Sequence, residues 1–277
     1  MTKKAPLLED RGIVAVRGDD AATFLQGLLT NDVEKLHPYE ARYAGLLTPQ
    51  GKILFDMIVV RVPSDAGAAF LLDCDAGRAP DLARRLGFYK LRAKVAIADE
   101  TAALGVVAFW GAPAQASADG VVYADPRDSR LGWRAILPKS EAAGFGTDAV
   151  EAYEALRIDV VAPKGGVDFA YGDSFPHDAN LDLLNGVDFG KGCYVGQEVV
   201  SRMKHRGTGR KRIARVKLAA DAPAPGTPVL DGELAVGILG SSSGREGLAL
   251  LRLDRVEEAK AAGRGLSAGG VGLTLAE

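Results

Sequence analysis

A single cysteine stands in a glycine-rich segment that could hold a reactive sulfur at the start of a helix. The segment reads Lys191-Gly192-Cys193-Tyr194-Val195-Gly196-Gln197-Glu198. We expect a helix from about Val195 to Lys204, so that its N-terminal partial charge and the ammonium of Lys191 lower the pKa of Cys193. The flanking glycines allow other groups to approach closely. The alternative is a small thiol that merely packs in a crowded turn.

The cysteine count limits the chemistry of that sulfur. The chain has two cysteines, and Cys74 lies in an apolar strand, where we expect it in the core. Two thiolates cannot hold a conventional iron–sulfur cluster, so any cluster bound at Cys193 must be shared with another protein. The three histidines, His37, His177 and His205, stand in unrelated contexts and do not indicate a Cys-His hydrolase.

Two carboxylates are candidates for ligand contact. Strand alternation puts Asp56 on one face with Leu54, Ile58 and Val60, where a carboxylate needs a partner. That partner is either a structural donor or a ligand. Asp178 is the second candidate, and its structural alternative is to cap a helix that begins there.

A basic cluster follows the cysteine segment. It suits either a solvated face or a polyanion such as RNA or the glutamyl carboxylates of a folate. Few aromatic residues interleave with it, which makes direct nucleic-acid binding unfavourable. The cluster comprises Arg202, Lys204, Arg206, Arg210, Lys211 and Arg212.

Composition sets the class of protein. The 277 residues are 47% hydrophobic and 25% charged, with a net charge of −2, which is typical of a globular protein with an ample core. No apolar run reaches the roughly 20 residues of a membrane span, and the first residues lack the apolar core of a secretory signal. We therefore expect a cytoplasmic protein with reduced cysteines and no membrane association.

The order of elements predicts an α+β fold. Antiparallel strands with interspersed helices fill the first half, including a hairpin around Thr48-Pro49-Gln50-Gly51. A helix over about Asp148 to Asp159 precedes a long irregular segment, 163–188, of the kind that often covers a site. Strands dominate after a boundary near Gly207-Thr208-Gly209. We predict domains at 1–138, 139–206 and 207–277, the last a small β-barrel or sandwich.

Several segments in order resemble one protein family. The cysteine segment resembles the K-G-C-Y-x-G-Q-E signature of the YgfZ family, folate-binding proteins of iron–sulfur cluster assembly and repair. This family is related to the glycine-cleavage T-protein, or GcvT, an aminomethyltransferase. Further matches lie at Phe24-Leu25-Gln26-Gly27, Thr30-Asn31-Asp32-Val33, Leu47 to Ile53, Leu131 to Arg134, Asn180-Leu181-Asp182 and Gly186 to Phe189.

The resemblance implies a fold, a cofactor and a set of site residues. The fold is a three-domain cloverleaf around a central folate channel, with a C-terminal β-barrel. Tetrahydrofolate is the implied cofactor, and Cys193 the implied thiol, tuned by Lys191 and able to bind metal together with a partner. The implied folate contacts are Asp56, Asp178, Tyr194, Gln197, Arg202 and Arg206.

The resemblance supports two functions. The first is an accessory factor that works with iron–sulfur assembly proteins and client enzymes, including enzymes that modify tRNA. The second is a tetrahydrofolate-dependent aminomethyl or one-carbon transferase. T-protein carries two adjacent acids in the hairpin strand, whereas this chain has Phe55 before Asp56, which counts against transfer. Asp178 stands where a glutamate is more usual in the relatives.

Overall fold

The computed structural model describes residues 5–65, 67–111, 120–207 and 209–276. These residues form two open sheets with helices, a long irregular segment and a closed barrel. All pairings between the named strands are antiparallel, so the predicted α+β class is confirmed. Among the helices described, none combines the length and apolar character needed to cross a membrane.

The first sheet is buried on both faces. One of its inner strands carries the run Ile13 to Val16, all fully buried, as expected for a strand covered on both sides. The sheet has the order β2-β3-β4-β1-β5. Its strands are β1 (Arg11–Gly18), β2 (Ala41–Leu47), β3 (Ile53–Val62), β4 (Ala68–Asp75) and β5 (Ala96–Asp99).

Two helices cover one face of this sheet. Helix α1 (Ala21–Gln26) buries Leu25, and helix α2 (Ala79–Lys90) buries Leu82 and Leu86, in one apolar cluster. The β2–β3 connection is the predicted hairpin turn: the Thr48 amide donates to the Lys52 carbonyl at 2.8 Å. The segment that contains Cys193 packs against this hairpin through Gly196.

A second, three-stranded sheet packs on the opposite face. Its order is β6-β8-β7, with β6 (Leu104–Phe109), β7 (Val121–Ala124) and β8 (Trp133–Pro138). Helix α3 (Lys139–Ala142) and helix α4 (Val150–Asp159) follow. Val106, Ile136 and Tyr153 share one apolar cluster with Ile13 and Ile58 of the first sheet. The two sheets therefore enclose a common core.

The segment 163–196 contains no helix or strand of its own. Asp168 anchors it: this carboxylate accepts from Arg157 Nη1 at 3.0 Å and from the Ser241 amide at 2.6 Å. Those bonds join helix α4, the loop and the barrel. The expected helix capped by Asp178 is replaced by successive turns, followed by helix α5 (Gln197–Arg206).

The last part of the described chain is a closed six-stranded barrel. Its interior is lined by apolar residues such as Val216, Leu239 and Leu251. The barrel begins at Lys211, and Thr208 of the expected boundary lies outside the described residues. Its elements are β9 (Lys211–Leu218), β10 (Pro228–Asp231), β11 (Leu234–Ser243), β12 (Glu246–Arg252), helix α6 (Leu253–Ala261), β13 (Leu266–Ala268) and β14 (Val271–Leu275).

Candidate functional site

Cys193 is exposed at the tip of the loop before helix α5. The helix begins at Gln197, so the expectation of a helix from Val195 is wrong by two residues. The cause is Gly196, whose φ of 83° is left-handed and ends the loop just before the helix. Cys193 thus lies outside the first helical turn, where the influence of the helix dipole is concentrated. By contrast, Cys74 is buried as expected, and burial raises its pKa to about 12.

Lys191 holds the loop in place. Its Nζ atom donates to the carbonyl oxygens of Gln26 at 2.8 Å, Leu29 at 2.7 Å and Asn31 at 2.9 Å. Burial lowers the pKa of Lys191 to about 8, and the three acceptors use all three N–H donors of the ammonium form. The structure therefore places this ammonium on backbone carbonyls near helix α1.

Tyr194 directly follows the exposed Cys193 in the chain. Its side chain is buried, the Lys191 ammonium lies 5.2 Å from its ring centroid, and burial raises its pKa to about 12. Gln197, the other predicted folate contact in the motif, is half-buried at the first position of helix α5. The motif therefore combines one exposed sulfur with a buried supporting ring.

The loop and the β2–β3 hairpin meet through two glycines. A Cβ atom at Gly196 would lie 2.5 Å from the Thr48 carbonyl oxygen, and one at Gly51 would lie 3.0 Å from Cβ of Val199. Both glycines also have positive φ, 83° and 79°. Side chains are excluded at this contact, so the hairpin fixes the base of the cysteine loop.

Asp56 has two structural partners. Its Oδ2 accepts from the Tyr43 hydroxyl at 2.9 Å and its Oδ1 from the Tyr171 hydroxyl at 2.6 Å. Both tyrosines have raised pKa values because they are buried and lie beside this carboxylate, so they are donors at neutral pH. The cavity that Asp56 lines has a volume of about 30 Å3, room for about one water molecule.

Asp178 lies in a separate environment. Its Oδ2 accepts from the Phe175 amide at 2.9 Å, which is a turn contact rather than a helix cap. Burial raises its pKa, against the opposing effects of the Phe175 amide and the charges of Lys52 and Lys211. Asp178 does not line the Asp56 cavity, and neither does Cys193.

Tetrahydrofolate does not fit at Asp56. Ligand sites of this class have volumes of about 300–1,000 Å3, whereas the Asp56 cavity is near 30 Å3. Both carboxylate oxygens already accept tyrosine hydroxyls. In this structure the Asp56 carboxylate is therefore an acceptor for two buried tyrosine hydroxyls, and its role as a folate contact stays a prediction.

A larger groove of about 790 Å3 opens next to the cysteine loop. It combines exposed or half-buried rings, Trp133 and Phe189, with the cations of Arg42 and Lys204; the Lys204 ammonium lies 3.5 Å from the Phe189 ring centroid. Lys204, a member of the predicted basic cluster, lines this groove; the other residues predicted for the site do not. Its lining is Asn31, Tyr39, Glu40, Ala41, Arg42, Ala124, Pro126, Trp133, Asn185, Val187, Asp188, Phe189 and Lys204.

The basic cluster is divided by the structure. Arg202 and Arg206 are exposed on helix α5, and within the described ranges neither forms an ion pair. Arg212 instead binds Asp182, with both carboxylate oxygens at 3.1 Å. Arg212 is thus structural, whereas Arg202 and Arg206 are available to a partner.

A buried ionic network, which the sequence pattern did not predict, lies between the two sheets. Asp73 is fully buried and accepts from Arg11 Nε at 2.6 Å, Arg134 Nη1 at 2.5 Å and the Tyr123 hydroxyl at 2.9 Å. Arg134 also donates to Asp125 at 3.0 Å. The available signal was a charged residue inside an apolar run, both in Phe70 to Cys74 and in Trp133 to Leu137.

Burial by itself would raise the pKa of Asp73, but the guanidinium groups of Arg11 and Arg134 outweigh it, so this pKa is lowered. The network is therefore ionised at neutral pH. In the part of the chain that the structure covers, no three His, Cys, Asp or Glu side chains cluster closely enough to hold a metal ion.

Comparison with known proteins identifies the family. The GCVT N-terminal domain profile matches residues 9–136, and the C-terminal β-barrel domain profile of CAF17 matches residues 210–277. The mouse mitochondrial iron–sulfur cluster assembly factor IBA57 is 34% identical over 285 residues, covering 90% of this chain and 78% of that protein. This chain belongs to the IBA57 family. The human IBA57 protein is 32% identical, with the same coverage of 90% and 78%.

Coverage differs among members of the IBA57 family. The homologue from Mycosarcoma maydis is 37% identical over 241 residues, which are 81% of this chain but only 60% of that protein. The glycine cleavage aminomethyltransferase T of Bartonella henselae has a TM-score of 0.77 and 19% identity, covering 99% of this chain and 84% of that one. This likeness confirms the predicted GcvT-like fold with its C-terminal barrel.

Proposed function

We propose that the protein is an accessory factor in the assembly or repair of iron–sulfur clusters and that Cys193 is its working group. Membership of the IBA57 family supports the process, because the mouse and human relatives are named as assembly factors. The observation that carries the role of Cys193 is its exposure on a loop that Lys191 and Gly196 anchor from below.

The chemistry suits a single shared ligand. A thiolate is a soft donor that iron in clusters prefers, and one protein thiolate leaves the other coordination positions to a second protein. The anchored loop keeps the Cys193 side chain exposed to solvent. The partners in this proposal are iron–sulfur assembly proteins, which supply the remaining thiolates, and client enzymes, which receive the cluster.

The test is cluster transfer with a purified assembly partner that carries a [2Fe–2S] cluster. Circular dichroism in the visible range detects a complex in which this chain and the partner share the cluster. We expect Cys193→Ser to abolish formation of that complex. Arg245→Glu, at an exposed turn of the barrel, serves as the control, and we expect this variant to form the complex as the wild type does. Unchanged spectra and transfer with Cys193→Ser would remove this thiol from the mechanism.

We propose that tetrahydrofolate binds in the groove beside the cysteine loop and not in the core around Asp56. The groove beside the cysteine loop has about 790 Å3 of room, two aromatic rings and two cations, which suits a pteridine ring with a glutamate tail. In calorimetric titration with a reduced folate, we expect Trp133→Ala to weaken binding and Asp56→Asn to leave it unchanged. The opposite result would return the cofactor to the core around Asp56.

The transferase alternative receives less support. It requires a carboxylate that contacts the reacting folate nitrogen, and Asp56 has both oxygens occupied in a water-sized cavity. The position of the first acid in T-protein is Phe55, whose ring contacts the Arg78 guanidinium at 4.8 Å. Formation of methylenetetrahydrofolate from an aminomethyl donor would support transfer; we expect none.

The finer parts of the proposal concern clients and location. We propose that the clients include tRNA-modifying iron–sulfur enzymes, that the chain is close to the YgfZ branch through its K-G-C-Y-x-G-Q-E segment, and that it works in the cytoplasm. A deletion strain that loses a thiolated or methylthiolated nucleoside, restored by this chain, tests the client assignment. Fractionation of the tagged protein tests the compartment.

A further inference from the structure

The outer face of helix α2 and the residues that follow it carry more cations than the neighbouring acids pair with: Asp81 pairs with Arg84 and Asp19 with Lys94. Residues 78–94 contain six cations and one acid, Asp81, in a chain whose net charge is −2. Helix α2 buries Ala79, Leu82 and Leu86 against the first sheet. Because its inner face is apolar, the charged residues are directed outward, one helical turn apart.

Arg78, immediately before this helix, has unused hydrogen-bonding capacity. Its guanidinium lies over two rings, 4.8 Å from the Phe55 centroid and 4.3 Å from the Tyr171 centroid. Its Nη2 donates to the Leu54 carbonyl at 3.1 Å, while its buried Nε has no acceptor. No carboxylate within the described residues pairs with it. A stacked guanidinium with free in-plane donors is suited to a carboxylate.

The surroundings of Arg78 form a small pocket with an apolar rim. The pocket has a volume of about 170 Å3, and three arginines and one acid line it together with apolar side chains: Leu54, Phe55, Arg78, Asp81, Arg84, Arg85 and Phe88. Arg84 is paired with Asp81 at 2.6 Å, whereas Arg85 has no ion pair in the described ranges. Phe88 is 68% exposed, and Leu91 at the end of the helix is 89% exposed.

We propose that this face of helix α2 docks an acidic segment of a partner protein. A glutamate or aspartate carboxylate of the partner occupies the pocket between Arg78 and Arg85, and an apolar side chain next to it covers Phe88 and Leu91. Charge complementarity and the adjacent apolar pair favour a protein segment. Stacking of nucleic-acid bases on Arg78 is unfavourable because its guanidinium already lies over the rings of Phe55 and Tyr171.

The test uses a fluorescein-labelled synthetic peptide of repeating Glu-Leu-Glu-Ala units. The full chain is titrated into the peptide, and the fluorescence anisotropy of the peptide reports binding. Arg85→Glu and Phe88→Ser change exposed side chains of the pocket, and Arg245→Glu on the barrel is the matched charge control. We expect each pocket variant to weaken binding about tenfold and the control to leave it unchanged. A second peptide has alanine in place of every leucine. We expect its affinity for the wild-type protein to be about as low as the affinity of the original peptide for the Phe88→Ser variant.

Three results would overturn the proposal. The first is the absence of saturable peptide binding, and the second is equal loss of binding in Arg85→Glu and Arg245→Glu. The third is binding to phosphatidylserine vesicles or to an oligouridine probe that depends on Arg85 while the peptide does not bind. Circular dichroism of every variant verifies that the fold is retained, and none of these variants touches Cys193.

Discussion

The Nζ atom of Lys191 lies 2.7 Å from the carbonyl oxygen of Leu29, although the two residues are 162 positions apart in the chain. This contact joins the cysteine loop to the segment after helix α1. The lysine two residues before Cys193 thus acts as an anchor. Its charge is committed to three carbonyl oxygens, and the sulfur two residues later is presented from a fixed base.

Lys191→Met should destabilise the protein and loosen the cysteine loop. The substitution removes three hydrogen bonds and leaves buried carbonyl oxygens without donors, so we expect a loss of about 2–4 kcal/mol in the free energy of unfolding. Urea denaturation measures it. Lys260→Met, on the exposed side of helix α6, is the control and should be close to neutral. Equal stability of the two variants would contradict the anchoring role.

Gly196→Ala should be far more harmful than Gly207→Ala at the other end of helix α5. Both glycines have positive φ, but only Gly196 is crowded: an added Cβ would lie 2.5 Å from the Thr48 carbonyl oxygen, and at Gly207 it would meet nothing within 4 Å. We expect about 1 kcal/mol at Gly207 from backbone strain alone and more than about 2 kcal/mol at Gly196. Thermal unfolding of the pair, which shares the same substitution, isolates the steric contribution.

Asp73→Asn should disrupt the ionic network between the two sheets. The variant leaves the buried cations of Arg11 and Arg134 without their shared carboxylate, at a cost of about 3–5 kcal/mol. Asp81→Asn breaks an exposed ion pair with Arg84 and should cost no more than about 1 kcal/mol. Chemical denaturation compares them. A mild effect at Asp73 would show that the network contributes little to joining the sheets.

His177 should make the protein sensitive to acid. The side chain is buried, neither ring nitrogen has a partner in the described residues, and burial lowers its pKa below the usual 6.5, with Asp182 and Asp178 opposing and Arg212 and Lys204 adding to the effect. The unfolded chain therefore binds a proton before the folded chain does. Stability is full above about pH 6.5 and declines as the pH falls from there towards the folded-state pKa.

His177→Phe removes that proton uptake, so the free energy of unfolding should become less dependent on pH below about 6.5. His205→Phe, which changes an exposed histidine of helix α5, should retain the wild-type slope. Denaturation series at several pH values provide the comparison. Parallel slopes for wild type and His177→Phe would exclude His177 as the source of acid sensitivity.

Much of the fold could be predicted from local pattern. The apolar run Ile13 to Val16, the hairpin at Thr48 to Gly51 and the strands after Lys211 all appear where periodicity and turn residues indicated them. The start of helix α5 was missed because Gly196 adopts a left-handed conformation that its contact with Thr48 requires. A contact between distant segments leaves no local signal.

The sequence by itself determined the antiparallel α+β character, the terminal barrel, the family signature and the choice of Cys193 over Cys74. Only the tertiary structure decided that Lys191 is an anchor, that Asp56 is held by Tyr43 and Tyr171, and that Arg78 has no acidic partner among the residues that the structure describes. The physical reason is the separation along the chain of the residues that interact. Helical and strand periodicities act over a few residues, whereas the surroundings of a buried charge are set by segments more than a hundred residues apart, such as Asp56 and Tyr171.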